Sequence, residues 1–326
     1  MKLSTQNVIL DEIQRQPELL SYLQVSVDAD PRNGRFVLTG SHQLALREAI
    51  GQSLAGRTAL LHLLPLSIAE LSQDNPTSRK AEDYIYQGFL PRIHDQQQRP
   101  TPAYSNYYQT YVERDVRQLI NLKDAAQFEK FIKLLAGRVG QLMDHTSLAG
   151  DVGVSSNTIK HWLSILEASF VVYKLPPYFD NFGKRVIKSP KYYFTDTGLL
   201  SFLLGIESAA QVARDPLLGH LFENLVVMDF AKNLYNQGRL ANLYFYRDSN
   251  GLEVDLLFQQ GRNLIPMEIK SSSTYKPELL KSLKRICGLS PLINKAYLVC
   301  AGDPFIFSDG ISAIRFDNLD AISKPD

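Results

Sequence analysis

An α/β chain of several domains is predicted from three features of its 326 residues. Residues 1–66 alternate short apolar runs with an amphipathic helical pattern, the order in which strands and helices of a parallel sheet follow one another. Residues 128–166 carry helical apolar spacing interrupted by a glycine-containing turn, as two packed short helices require. Beyond residue 217 a helix, a strand, a hairpin, a helix and a strand succeed each other, so a second sheet ends the chain. The regions read as 1–66, 67–125, 126–192 and 193–326.

Val8-Ile9-Leu10 ends in Asp11-Glu12, a buried strand that delivers two carboxylates at its C-terminal edge. Pro17 stands at a first helical turn before Leu19, Leu20, Leu23 and Val27 at helical spacing. Phe36-Val37-Leu38 is a strand closing on Thr39-Gly40-Ser41, and Thr58 to Leu64 is a further β-like run. Parallel sheets gather functional groups at strand C-termini. In nucleotide-hydrolysing α/β proteins that edge holds the metal and the attacking water. A full site also needs a glycine-rich loop ending in Gly-Lys-Ser or Gly-Lys-Thr. The sole Gly-Lys pair, Gly183-Lys184, is followed by Arg185.

The strings VILDEIQRQPELLSYLQ, GRFVLTGS, QSLAGR and LLPLSIAEL resemble a prokaryotic AAA+-type ATPase family with an uncharacterised C-terminal domain, and the likeness covers nearly the whole chain. That resemblance implies a partial P-loop NTPase core in which Asp11 holds Mg²⁺, Glu12 polarises water, Thr39 or Ser41 senses the γ-phosphate of ATP and Arg57 is the arginine finger. The family's first strand, phosphate loop and following helix and strand have no counterpart. The chain therefore reads as N-terminally truncated and unable to bind ATP normally, with Asp11-Glu12 a relic; a complete ATPase whose start was placed too late is the alternative. The strands near Thr39 and Thr58 must then pair directly, leave a gap, or recruit a second copy or a partner chain, making this the least stable region.

Residues 67–125 read as helical and tyrosine-rich, with a break at Gly88-Phe89-Leu90-Pro91-Arg92 and a flexible join at Pro100 and Pro102. By the same resemblance this is a lid, and Arg92 or Arg114 approaches the nucleotide; otherwise both are surface arginines. Phe128, Phe131, Ile132, Leu135, Val139 and Leu142 form one apolar helical stripe. Ser147 to Val152, a turn at Gly153 and an N-cap at Ser155-Ser156 precede a helix with Ile159, Trp162, Leu163 and Leu166 inward and Asn157, Lys160, His161 and Ser164 outward. With the β-run Phe170 to Leu175 this resembles a winged helix-turn-helix, which implies DNA contact through Asn157, Lys160 and His161 in a major groove. Lys184, Arg185, Lys188 and Lys191 make the wing basic, and protein docking is the alternative.

In the last region a helix carries Glu223, and Leu252 to Gln259 and Leu264 to Lys270 flank a turn at Gln260-Gly261-Arg262-Asn263. This four-residue loop sets Asp255 opposite Glu268, with Lys270 on the same face as Glu268. Two carboxylates can bind Mg²⁺ or Mn²⁺, and a lysine beside them can orient water or neutralise a phosphodiester transition state. Asp255 followed by Glu268-Ile269-Lys270 in this element order, with Glu223 on the preceding helix, resembles the PD-(D/E)XK nuclease superfamily and its restriction-endonuclease-like fold; Val254 replaces the usual proline. Lys276, Lys281, Lys284 and Arg285 would form a positive rim for a polyanion. The alternatives are a solvated hairpin face and a non-catalytic DNA- or protein-binding module.

Lys plus Arg (35) against Asp plus Glu (34) leaves a net charge of +1, so any attraction for nucleic acid must be local. Cys287 and Cys300 lack metal-ligand spacing and read as buried thiols of a cytoplasmic protein. No apolar run approaches a membrane span, and no membrane partner is expected.

Overall fold

The computed structural model describes residues 7–30, 32–40, 54–74, 79–116, 125–179 and 187–324. Ser41, Lys184, Arg185 and the side chain of Arg114 lie outside the described set. The chain divides into two compact units, Met1–His62 and Leu63–Asp326.

In the first unit, β1 (Val8–Leu10), α1 (Leu19–Ala29) and β2 (Phe36–Leu38) form a strand-helix-strand segment. The strands pair in parallel, Val8 with Phe36 through Leu10 with Leu38. Leu20 and Leu23 of α1 pack with Ile13 and Leu54 in a small core, while Ile9 and Val37 stay exposed. The run from Thr58 to Leu64, expected as a strand, has no regular structure, and Leu60, Leu61 and Leu63 are exposed. Among the described residues no third strand joins this pair. Without a paired strand beside it among the described residues, the run's β-propensity is not realised.

The second unit begins with α2 (Ile68–Asp74), α3 (Ala81–Gln87), α4 (Pro91–Asp95) and α5 (Pro100–Tyr107), which runs into a π-helical segment, Tyr108–Val116. Pro100 and Pro102 start α5; they do not mark a flexible join. Proline is tolerated in a first turn because its missing N–H would have no helical partner there. Next come α6 (Ala125–Ala136), α7 (His145–Val152) and α8 (Ser156–Ala168). Asp144 caps α7, Gly153 closes it at φ 90°, and Ser155 caps α8 through the Thr158 N–H. A hairpin of β3 (Val172–Leu175) and β4 (Lys191–Phe194) follows.

Helices α9 (Thr197–Leu203) and α10 (Ala209–Val212) lead to the long α11 (Leu218–Asn236). The sheet is built from β5 (Leu243–Arg247), β6 (Glu253–Gln260), β7 (Asn263–Lys270), β8 (Tyr297–Cys300), β9 (Phe305–Ile306) and β10 (Ser312–Arg315), in the order β5-β6-β7-β8-β10-β9. The first three strands are antiparallel; β7, β8 and β10 run parallel. A 3₁₀ turn at Pro277–Leu280 enters α12 (Lys281–Cys287), and α13 (Asp320–Ser323) ends the fold.

One apolar core runs through this unit, from Ile68 by way of Phe131, Trp162, Phe194 and Phe230 to Ile322. Residues from 67–125, 126–192 and 193–326 all contribute to this core. Two charged residues of α11 tie the entering segment to it. Asp229 accepts from the Ile68 N–H at 2.7 Å, and Lys232 donates to the Leu66 carbonyl at 2.9 Å while its ammonium sits 4.0 Å from the Phe89 ring centroid.

Candidate functional site

The hairpin β6–β7 turns on Gly261-Arg262, a two-residue loop inside the turn expected as four residues, with Gln260 paired to Asn263 and Gly261 at φ 62°. The register is therefore the expected one. Continuing it from Leu256↔Met267 by one residue sets Asp255 opposite Glu268. On the other side of β6, Tyr244 pairs with Leu257 but Tyr246 with Val254, so a bulge of Asp255 and Leu256 falls opposite Phe245. Bulges re-aim the side chains they carry. Here Asp255 Oδ2 accepts from the Ile269 N–H at 2.8 Å.

Lys270 Nζ lies between the two acids, 3.0 Å from Asp255 Oδ2 and 2.8 Å from Glu268 Oε1. The second Glu268 oxygen is buried and has no hydrogen-bond partner. Burial, then the Asp255 charge, pushes the Glu268 carboxyl up to about 7, against the pull of Lys270. Burial and the neighbouring Glu223 charge also raise Asp255. Burial disfavours the Lys270 ammonium, yet the two carboxylates overcome it and raise its affinity for the proton.

Glu223 arrives from α11 and is held by a residue that the sequence reading placed in the basic wing. Lys191, at the start of β4, is buried, not displayed on a surface. Its Nζ is 3.1 Å from Glu223 Oε1 and 3.0 Å from Glu253 Oε1. The Tyr193 hydroxyl donates to the same Glu223 oxygen at 2.5 Å, and His220 Nδ1 is 3.8 Å from the other. Burial works to raise the Glu223 carboxyl, but Lys191 and these donors bring it below the ordinary value. Arg247 Nη1 lies 3.1 Å from Glu253 Oε2 and extends the network. Four carboxylates thus alternate with two ammonium groups, and among the described residues no group of three or more His, Cys, Asp or Glu could hold a metal ion.

The remaining predicted residues fall elsewhere. In the first unit Thr39 Oγ1 donates to Asp11 Oδ1, joining the ends of β2 and β1, and the Glu12 N–H donates to the same oxygen at 3.0 Å. Arg57 is ion-paired with Asp28 at 2.6 Å, which lowers the Asp28 pKa through that hydrogen bond. Arg92 is exposed on α4. On α8, Asn157, Lys160, His161 and Ser164 face solvent while Ile159, Trp162, Leu163 and Leu166 are buried. Trp162 meets Phe128 and Phe131 edge-on, as a core residue. Lys276, Lys281 and Arg285 are exposed, and Lys284 pairs with Asp309 at 2.7 Å. Both cysteines are free thiols. Among the described residues no helix is long and apolar enough to cross a membrane.

Residues 1–72 match a family described as an AAA domain, residues 78–210 the domain of unknown function DUF8612, and residues 218–319 the domain of unknown function DUF4143. Uncharacterised proteins of Mycobacterium tuberculosis and Mycobacterium bovis are each 31% identical over 313 residues, covering 96% of this chain and 69% of theirs. An uncharacterised protein of Haemophilus influenzae is 27% identical over 246 residues, 70% of this chain and 58% of its own. The crystal structure of a Vibrio cholerae protein aligns over 96% of this chain and 88% of its own at 13% identity, with a TM-score of 0.26, too low to support an argument.

Proposed function

We propose that this chain, which belongs to the family of these mycobacterial proteins and matches an AAA domain and two domains of unknown function, is a DNA-associated member whose C-terminal sheet carries a metal-dependent phosphodiesterase site. The observation that carries this reading is Lys270 set between Asp255 and Glu268, with one Glu268 oxygen buried and unsatisfied. A buried acceptor without a donor costs stability and is expected where a ligand completes it.

The residues fit Mg²⁺ or Mn²⁺ as a two-carboxylate site, Asp255 and Glu268, and not as a cage of three or more acids. Mg²⁺ is commonly held by one or two carboxylates, with water and substrate phosphate filling the rest. Bound there, the ion would polarise a phosphate and acidify water. Glu223 stays with Lys191 and Tyr193 and acts on Asp255 through its charge. Glu268, with its carboxyl near 7, can hold or release a proton at neutral pH. Lys270 supplies a fixed positive charge beside both acids. The exposed row Asn157, Lys160 and His161 on α8 is the proposed duplex-DNA contact.

In the first unit Asp11 and Thr39 are the proposed metal and sensor positions of the AAA domain, where Glu12 would polarise water and Arg57, paired to Asp28 in this structure, would be the finger. ATP binding there needs a phosphate cradle that no Gly-Lys-Ser or Gly-Lys-Thr in these 326 residues supplies.

A second reading, an inert nuclease-like fold that only binds, is favoured by the way Lys191 and Lys270 already neutralise their acids. Calorimetric Mn²⁺ titration beside a nicking assay on supercoiled DNA separates the two. Asp255→Asn and Glu268→Gln should each lose metal binding and nicking, and Lys270→Ala should lose nicking alone. Failure of the unmodified protein to bind metal or nick DNA leaves the inert fold.

A further inference from the structure

Beside the Lys270 end of the sheet lies an aromatic cluster that the phosphodiesterase reading leaves unused. Lys270 is the register partner of Cys300 on β8, and Cys300 Sγ is 3.8 Å from the Tyr275 hydroxyl. Tyr275 stacks on Phe305 with ring centroids 5.9 Å apart and 26° between the planes. Phe307 meets both rings edge-on, at 5.6 and 5.0 Å. The Tyr275 hydroxyl donates to the Asp303 carbonyl, and Tyr275 and Phe307 pack against the core under α12. The cluster is therefore anchored from below and fixed in orientation.

Its outer member is not covered. Phe305 is 52% exposed, on the two-residue strand at the outer edge of the sheet. Lys276 directly follows Tyr275 and is exposed, and Lys281 and Arg285 on α12 are exposed further along the chain, as are the acids Glu278 and Asp303. A rigid, partly open aromatic face with an exposed lysine next to it in the chain suits an unpaired base and its phosphate. Duplex DNA hides those base faces in its own stack. A bound peptide strand would use the β9 edge but would have no need of a stacked ring or of the cations.

We infer that Tyr275, Phe305 and Phe307 form a base-stacking shelf for single-stranded DNA next to the Asp255–Glu268–Lys270 site, an inference that rests on the reading of that site as one acting on DNA. The test is fluorescence anisotropy of a labelled oligothymidylate, and of a duplex of equal length, with the full chain and no divalent metal. Phe305→Ala and Phe305→Leu should each weaken single-strand binding about tenfold, the loss of one stacked base. Phe305→Tyr should bind as the unmodified chain does, and duplex binding should be unchanged in all three. Single-strand binding that survives in Phe305→Leu, equal losses for both DNAs, or no single-strand binding by the unmodified chain overturns the shelf. If no form of the protein cleaves DNA while the Phe305 effect holds, the shelf stands and the phosphodiesterase reading fails.

Discussion

The Lys191 ammonium lies 3.1 Å from Glu223 Oε1, and the two residues come from the β3–β4 hairpin and from α11 respectively. Both side chains are more than nine-tenths buried. The pair is consequently a cross-link between secondary-structure elements as well as part of the acidic network.

Removing one partner of such a buried pair leaves an uncompensated charge, so Lys191→Met should destabilise the protein by about 3–5 kcal/mol. Lys191→Met combined with Glu223→Gln should recover most of that loss. Urea unfolding of the two singles and the double measures it, and additive losses would show that the two groups do not act as a pair.

Glu268 is expected to make stability fall as pH rises. Its carboxyl is raised to about 7 in the folded chain, by burial first and by Asp255 next, against an unfolded value of about 4.3. The folded state binds the proton more tightly, so this contribution is full below about pH 4.3 and is lost as pH rises through 7. Glu268→Gln should flatten the stability–pH curve in that window. An unchanged curve between pH 4 and 8 would contradict the assigned burial of the group.

At Asp229 the expected distinction is between two substitutions. Its carboxylate accepts the buried Ile68 N–H at 2.7 Å. Asp229→Asn keeps an oxygen there, whereas Asp229→Ala strands the N–H and should cost about 1–3 kcal/mol more. Equal thermal stability of the two variants would rule the hydrogen bond out as the reason for the acid.

Gly198 leaves no room for a side chain. A Cβ at that position would overlap the Tyr104 ring, itself buried in the core. Gly198→Ala should therefore unfold at a markedly lower temperature, by a core-overpacking loss of about 1–3 kcal/mol or more. Gly150→Ala on α7, which meets nothing within 4 Å, is the matched control and should be neutral or slightly stabilising.

For duplex DNA, Lys160→Ala should weaken binding and lower the slope of log affinity against log salt by about 0.9, one phosphate contact. An unchanged slope would move the contact away from α8.

The hairpin register was legible because strand alternation has a period of two and the turn leaves little freedom. The α7–α8 unit was legible for a similar reason, since helical spacing, the Ser155 cap and the Gly153 turn all agree. Pro100 and Pro102 misled because proline both ends helices and starts them. Lys191 could not be read as buried, because its burial depends on Glu223 and Glu253, both distant in the chain and brought close only by the fold. Strand β9, with two residues, carries no periodicity at all.

The boundary between the two matched domains of unknown function runs through the acidic network. Lys191 and Tyr193 belong to the match over 78–210, whereas Glu223, Glu253, Asp255, Glu268 and Lys270 belong to that over 218–319. Evolution cannot shuffle these segments as independent modules without separating Glu223 from its cation. A homologue that exchanged only its C-terminal segment would have to change residue 191 or residue 223 in the same step, so substitutions at these two positions should track each other across the family.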